Sequence, residues 1–312
     1  MTTSPAAPLH PHGEPSHVDN VRGVSLMALA FVLFSVCDML AKLLTGDFHP
    51  MQIVWTRQLA LLVGVVVALG IHGPGLFRSR HPAMQVLRGL LAVASAACFI
   101  SAVRFVPLAD AVAVTFIAPF IVTILSARLL GEYVGARRWA AVAVGFLGAM
   151  IVIRPGMGTM HPAMLLVVVA ATGFALRQVL SRRLGNSDRT VTTVAYTAIV
   201  SVTTLSLPLF LFWRTPETAR QWVLLGGMAL AAGLGEWAVI RAFEIGQAVA
   251  LAPVHYSMMI WATFWGWLVF GDLPDVWTII GAAVIMATGL YILHGEQKRG
   301  RPSAAAKIES SR

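Results

Sequence analysis

Charge is scarce in this chain. Only 12% of its 312 residues are Asp, Glu, Lys or Arg, about half the roughly 25% of an ordinary soluble domain. Cysteine is scarcer still: Cys37 and Cys98 both fall inside apolar runs, so neither a disulfide framework nor a zinc site can be assembled from them. The sequence has no GxxxxGK[ST] loop. Its GPGLF at 73–77 is a turn, with nothing to cradle a nucleotide phosphate, so ATP hydrolysis by this chain is not expected. No metal-ligand cluster and no nucleophile constellation stand out, so no catalytic residue, cofactor or metal is expected. Acidic residues number 14 against 23 Lys and Arg, for a net charge of +9. That excess does not form a basic patch interleaved with aromatics, so it does not point to nucleic acid. The bases sit at the ends of apolar runs, which is a membrane-topology pattern.

What the chain has in quantity is apolar surface. Hydrophobic residues make up 57% of it, with a mean hydropathy of +0.76. One globular core cannot bury this much, so lipid is the expected solvent and the fold class is all-α integral membrane. Ten segments are long enough for a hydrocarbon core that takes about 20 residues each. They lie near 22–44, 51–71, 82–103, 108–130, 137–154, 162–184, 190–213, 220–243, 248–270 and 275–294. Short Pro- and Gly-bearing connections leave little room for a catalytic domain outside the membrane. Residues 1–21 are rich in Pro, His and Ser and read as a disordered tail; their histidines read as solvated rather than metal-binding. No basic segment precedes a short apolar core and cleavage site, so the first run is expected to remain as a span. The segment 295–312 reads as a flexible basic tail.

Lys and Arg placement sets the expected orientation. With the N-terminus inside, most bases fall on the cytoplasmic side, among them Arg78, Arg80, Arg88, Arg137, Arg138, Arg182 and Arg183. The opposite side receives only Lys42, Arg104, Arg154, Arg214 and Arg220. Both termini are therefore expected in the cytoplasm, across an inner (cytoplasmic) membrane.

Two stretches look like copies of one hairpin. The first, RFVPLADAVAVTFIAPFIVTILSARLLGE, spans 104–132, and the second, RAFEIGQAVALAPVHYSMMIWATFWGWLVFGD, spans 241–272. Arg104 pairs with Arg241, ADAVA with GQAVA, and Gly131–Glu132 with Gly271–Asp272. Phe34 precedes Lys42 as Phe174 precedes Arg182. Five spans per half make the second half enter from the opposite side, the inverted-topology repeat of many secondary transporters. The bland alternative is that apolar helices share a small alphabet. The first repeat is assigned to 22–154 and the second to 162–294. The order PLADAVAVTFIAPF, LLGE, RRW, GFLGAMIVIRPG, then APVHYSMMIW, GWLVFGD, GAAVIMATGLYIL resembles the EamA family of the drug/metabolite transporter superfamily over roughly 22–294. The resemblance implies a ten-helix carrier of metabolites, amino acids or drugs. It also implies that helices 1–4 and 6–9 surround a cavity, with helices 5 and 10 at the periphery. Asp272 departs from the Glu common in the family, and Glu236 from a position more often neutral or amide-bearing.

Charges inside a membrane face cavities or pair with each other. Asp38 on helix 1 and Arg57 on helix 2 reach similar depths and could pair, or Asp38 could pair with Lys42 one turn away. Arg177 on helix 6 and Glu236 on helix 8 reach a comparable depth from the other face. Glu236 stands alone in AAGLGEWAVI and is a candidate for a cationic substrate group or a proton, against a static bridge to Arg177 or Arg241. Pro119 and Pro253 remove helix hydrogen bonds, tolerable where freed carbonyls line a cavity, though packing kinks would look the same. His255 and Tyr256 follow Pro253 and could contact a substrate ring, whereas Trp265 and Trp267 read as an interfacial belt. Glu132, with Arg137 and Arg138, reads as a hinge or latch. Small residues on helices 5 and 10 permit close packing, internal or across a homodimer.

The reading is a secondary transporter of small organic solutes working by alternating access, with export favoured by family analogy alone. The rivals are an enzyme acting on lipid-linked substrates, which lacks a clustered acid/base, and a channel or signalling subunit. Saturable counterflow separates the carrier from either.

Overall fold

The structure is a computed structural model and describes residues 17–131, 133–154, 161–184, 188, 190–246 and 251–300. Every regular element among these residues is helical. The helices are α1 (His17–Leu44), α2 (Pro50–His72), α3 (Pro82–Val103), α4 (Leu108–Thr115), α5 (Ala118–Leu129) and α6 (Ala136–Ile153). There follow α7 (Ala163–Leu184), α8 (Thr190–Phe212), α9 (Ala219–Ile245), α10 (Ser257–Trp265) and α11 (Val276–Gly300). Among the described residues, eight stretches are long and apolar enough to cross a membrane, with α4 and α5 together supplying one of them, Leu108–Leu129. They coincide with the first eight expected segments. The last apolar stretch, Val276–Ile292, is shorter.

The segment expected as a span over 248–270, with Pro253 a helix-break candidate, is not one uniform helix over its described residues. From Ala252 to Tyr256 it winds as a 3₁₀ turn, passes into α10, and ends in a π-turn over Gly266–Phe270. Pro253 lies in the first turn of the 3₁₀ segment, where its missing N–H and its ring break the α-helical ladder. Pro119 likewise sits in the first turn of α5, just after α4 stops at Thr115.

The ends of the helices follow from local chemistry. Pro50 and Pro82 open α2 and α3, at positions whose N–H has no partner inside a helix anyway. Thr218 and Gln221 close a reciprocal capping box at the start of α9, satisfying two orphan donors together. Arg154 ends α6 in the left-handed region at φ 49°.

Because every helix is largely apolar, packing is set by shape. α1 lies along α9, α3 along α7, and α6 along α11; α2 packs on α8 and α9, and α3 also on α8. The small residues of α6 and α11 meet within the chain. A Cβ on Gly281 would come 2.5 Å from Val152 and 2.6 Å from the carbonyl of Gly148, so the backbones approach as closely as they do only because both positions are glycine.

Candidate functional site

Two sets of contacts mark the ends of the bundle. At the end where α1 begins, Ser79, the Arg80 amide and Gln85 all donate to Asp188, tying the α2–α3 connection to the α7–α8 connection. At the far end, Lys42 donates to Asp272 at 3.3 Å and to the Val106 carbonyl at 3.0 Å, and its ammonium sits over the Phe270 ring. Arg154 pairs with Asp275 beside it. Apart from the Lys42–Val106 bond, each tie joins a residue before 155 to one after 160. Asp110, in the first turn of α4, opens into the same far-end cleft as Arg154 and His161.

Between the two ends lie the charges that the apolar helices carry inward. Asp38 on α1 is buried and pairs with Arg57 on α2 at 3.4 Å. Of the two partners open to Asp38, it is therefore Arg57 and not Lys42 that takes it. Glu236 on α9 is placed by its neighbours: Gly235 is packed against the Phe34 ring of α1, one turn from Asp38, and Gly233 against Ala60 of α2. Only glycine allows that approach at 235, since a Cβ would fall 2.8 Å from Phe34. The field of Glu236 reaches Arg57, Arg88 and Arg177. Among the described residues no cation lies within 4.0 Å of it, and Arg241 instead pairs with Glu244 at 2.7 Å. The static bridges weighed for Glu236, to Arg177 or to Arg241, are thus not formed.

Arg177 on α7 rests against the Phe174 ring at 4.9 Å. Arg88, counted from the sequence as a residue of the cytoplasmic edge, belongs to this interior group. It lies six residues into α3, about 9 Å from the start at 1.5 Å per residue. Its Nε donates to Ser181 at 2.6 Å and its NH1 to Thr197 at 2.5 Å. The signal that could have found it is that same inward count, which had already placed Arg177.

The aromatic candidates, His255 and Tyr256, lie within the 3₁₀ turn. His255 lies edge-on between Phe31 of α1 and Phe116 at the α4–α5 break, at 5.1 and 5.5 Å between ring centroids. Tyr256 also meets Phe116, at 5.4 Å, and its hydroxyl presses on Gly289 of α11. Pro119 and Pro253 thus flank one aromatic junction. Trp265 does not join an interfacial belt: its indole N–H donates to Ser35 on α1 at 3.1 Å, while Trp267 is exposed. Glu132 lies outside the described residues.

Known proteins give this arrangement a context. The model of the EamA-like transporter family matches residues 21–154 and again 161–293. The chain is 25% identical over 291 residues to an S-adenosylmethionine uptake transporter of Rickettsia prowazekii (strain Madrid E), covering 93% of this chain and 97% of that one. It is 30% identical over 288 residues to a riboflavin transporter of Vibrio cholerae, covering 90% and 96%. A pseudopaline exporter of Pseudomonas aeruginosa is 29% identical over 268 residues, covering 85% and 93%. One crystal structure superposes with a TM-score of 0.60 at 17% identity, over 87% of this chain and 97% of the other, which shows a shared fold. A multi-pass bundle with charged groups inside it and a family model matched in both halves leads to one conclusion: the chain belongs to the EamA-like transporter family, within the drug/metabolite transporter superfamily.

Proposed function

We propose that this protein is a secondary carrier of small organic solutes, in which two inverted five-helix halves rock about the central charged group. The observation that carries the reading is that group itself: Asp38, Arg57, Arg88, Arg177 and Glu236 held inside helices that are otherwise apolar. Interior charge is costly unless it faces a cavity or a partner, and only one pair among these five is closed within 4.0 Å.

The packing supports the inverted halves. Exchanging the first five expected spans for the last five turns the α1–α9 contact into the α7–α3 contact, and α2–α9 into α8–α3. It turns the α5–α7 contact into α10–α1, while α6–α11, α2–α8 and α4–α10 map onto themselves. The same exchange gives Lys42 and Asp272 the sequence counterparts Arg182 and Glu132. Pro119 and Pro253 are the pliable turns, and His255 with Tyr256 form the aromatic wall of the pathway.

The bias of Lys and Arg toward one side supports a cytoplasmic membrane location with both termini inside. A homodimer through α6 and α11 would have to use their outward side, near Ala140, Val144 and Tyr291, because the glycine ridge is engaged within the chain. The relatives are named for both uptake and export. Counterflow from proteoliposomes loaded with S-adenosylmethionine, riboflavin or pseudopaline tests the carrier reading. Saturable exchange from either side is the expected result. Linear, unsaturable flux would identify a channel, and product formation without movement an enzyme.

A further inference from the structure

The glycine contact between α6 and α11 closes only part of their seam. The two helices run antiparallel: Val152 faces Gly281 and Gly148 faces Ile285, while Ala140, Ala141 and Val144 lie across from Ala287, Thr288 and Tyr291. Along this second stretch the helices leave a groove of about 420 Å³, far more than the roughly 30 Å³ that a water takes up. Its floor is Ala141 and Thr288, both buried. The Thr288 hydroxyl is already committed to the Val284 carbonyl of its own helix at 2.6 Å. The trough therefore gives a polar occupant little to bond and suits an apolar one.

The mouth of the groove is different. Arg137, the second residue of α6, lines it at the end where α1 begins, together with Tyr291. Among the described residues no carboxylate lies within 4.0 Å of the Arg137 guanidinium. Tyr291 and the neighbouring Trp139 keep 60% and 43% of their surface exposed, as aromatic side chains at a membrane interface do. Val144 lies seven residues further along α6, about 10 Å deeper at 1.5 Å per residue, or a third of a hydrocarbon core of about 30 Å. The first turn of α6 holds two arginines and no acid. That runs against the helix dipole, which already makes this end positive. An anion is wanted at interfacial depth, and an apolar chain below it.

A soluble anion meets only the mouth, and a neutral hydrocarbon only the trough. A second copy across a two-fold axis presents the same patch, and so a second arginine, with no acid among the lining residues to meet either. We propose that the α6–α11 groove is a specific site for one anionic phospholipid, its phosphate on Arg137 and an acyl chain along Ala140, Ala141, Val144 and Ala287. The planar guanidinium matches a pair of phosphate oxygens, and basic pockets between spans are suited to lipid headgroups. A zwitterionic headgroup brings its own cation to the arginine and fits less well. The proposal needs the membrane-spanning bundle and not the carrier reading.

The test adds phosphatidylglycerol or phosphatidylcholine with identical acyl chains to the purified full chain in detergent, and reads thermal unfolding and native mass. Phosphatidylglycerol should raise the Tm at a concentration at least tenfold below that needed of phosphatidylcholine, and should stay bound in the mass spectrum. Arg137→Gln should remove that preference without lowering the lipid-free Tm. Arg78→Gln, the same loss of charge at an exposed position of the α2–α3 connection, should keep it. Ala140→Phe, which fills the trough from an exposed position, should weaken lipid binding with Arg137 intact. Equal shifts by the two lipids, or a preference that survives Arg137→Gln, overturn the proposal. So does inorganic phosphate that reproduces the shift, since a bare anion needs no trough. A stable dimer that Ala140→Phe dissociates, with no lipid retained by the wild type, would give the groove to a second copy and overturn it as well.

Discussion

Asp38 on α1 and Arg57 on α2 are 3.4 Å apart, and the Arg57 side chain keeps 24% of its surface accessible while that of Asp38 keeps 9%. The carboxylate is thus the more deeply buried member of the pair. Asp38→Asn leaves Arg57 without its counter-charge. Breaking a buried pair from one side costs roughly 3–5 kcal/mol, and the partial accessibility of Arg57 places the expected loss near the lower figure. The double variant Asp38→Asn with Arg57→Gln should recover most of it, because neither charge is then left alone. Thermal unfolding of the four proteins in one detergent measures the cycle. A double variant no more stable than Asp38→Asn would count against a mutually compensating pair.

The depth of each interior charge was legible in the sequence, but its direction around the helix was not. Counting residues inward placed Asp38, Arg57, Arg177 and Glu236, because rise per residue is fixed. Helices that are apolar all round carry no polar face from which to read rotation, so the partners of Asp38 and of Glu236 stayed open. Lys42 finds Asp272 across 230 residues, a distance at which local spacing says nothing. Arg88 is hidden for a related reason: its place near a helix start groups it with the cytoplasmic bases, while the hydroxyls that hold it come from α7 and α8. Pro253 announced a break, but the 3₁₀ and π turns around α10 depend on how Tyr256 and Gly266 pack.

The Lys42–Asp272 tie is expected to act as a latch on the far end. Its members are unequally exposed, at 11% and 41% of their side chains, so its strength is that of a partly solvated pair, about 1 kcal/mol. Loss of that much shifts a two-state equilibrium by roughly fivefold. In a background with Cys37 and Cys98 replaced by serine, a cysteine introduced at buried Ala109 reports opening through its reaction with a polar maleimide. Asp272→Asn should speed the labelling roughly fivefold; an unchanged rate would deny the latch.

Asp188 holds the opposite end and lies in the α7–α8 connection, outside the spans. Its slight burial pushes the carboxyl upward, but hydrogen bonds from Ser79, Gln85 and the Arg80 amide, with the nearby His81 charge, outweigh this and hold it below the ordinary carboxylate value. A depressed folded pKa contributes stability above the unfolded value and loses it as pH falls through the folded one. The tie should therefore survive acidification through the usual carboxylate range and loosen only below it. Proteolytic nicking of the 78–81 segment from pH 6 to pH 4 should stay flat in the wild type. Asp188→Asn should raise it at every pH in that window.

Glu236 is the carboxylate best placed to exchange a solute's cationic group for a proton, since no cation of the described residues is closed on it within 4.0 Å. Glu236→Gln keeps its size and removes its charge. Counterflow in this variant should fall at least tenfold, while surface expression stays at the wild-type level. Wild-type rates would assign the coupling elsewhere, with Asp38 the next candidate.

The close approach of α6 and α11 sets a stricter test, because it asks for a defect with no change of charge. At Gly281 a new Cβ would meet the Val152 side chain at 2.5 Å and the Gly148 carbonyl at 2.6 Å. The carbonyl belongs to a helix backbone and cannot rotate aside, so the helices must separate. Overpacking of this kind costs about 1–3 kcal/mol. At Gly226 on α9 nothing lies within 4 Å of the added carbon, and there alanine gains up to about 1 kcal/mol of helix propensity. Gly281→Ala should therefore lower the unfolding temperature and Gly226→Ala leave it unchanged or raise it. Equal behaviour of the two would mean that α6 and α11 are not held at backbone contact in the membrane.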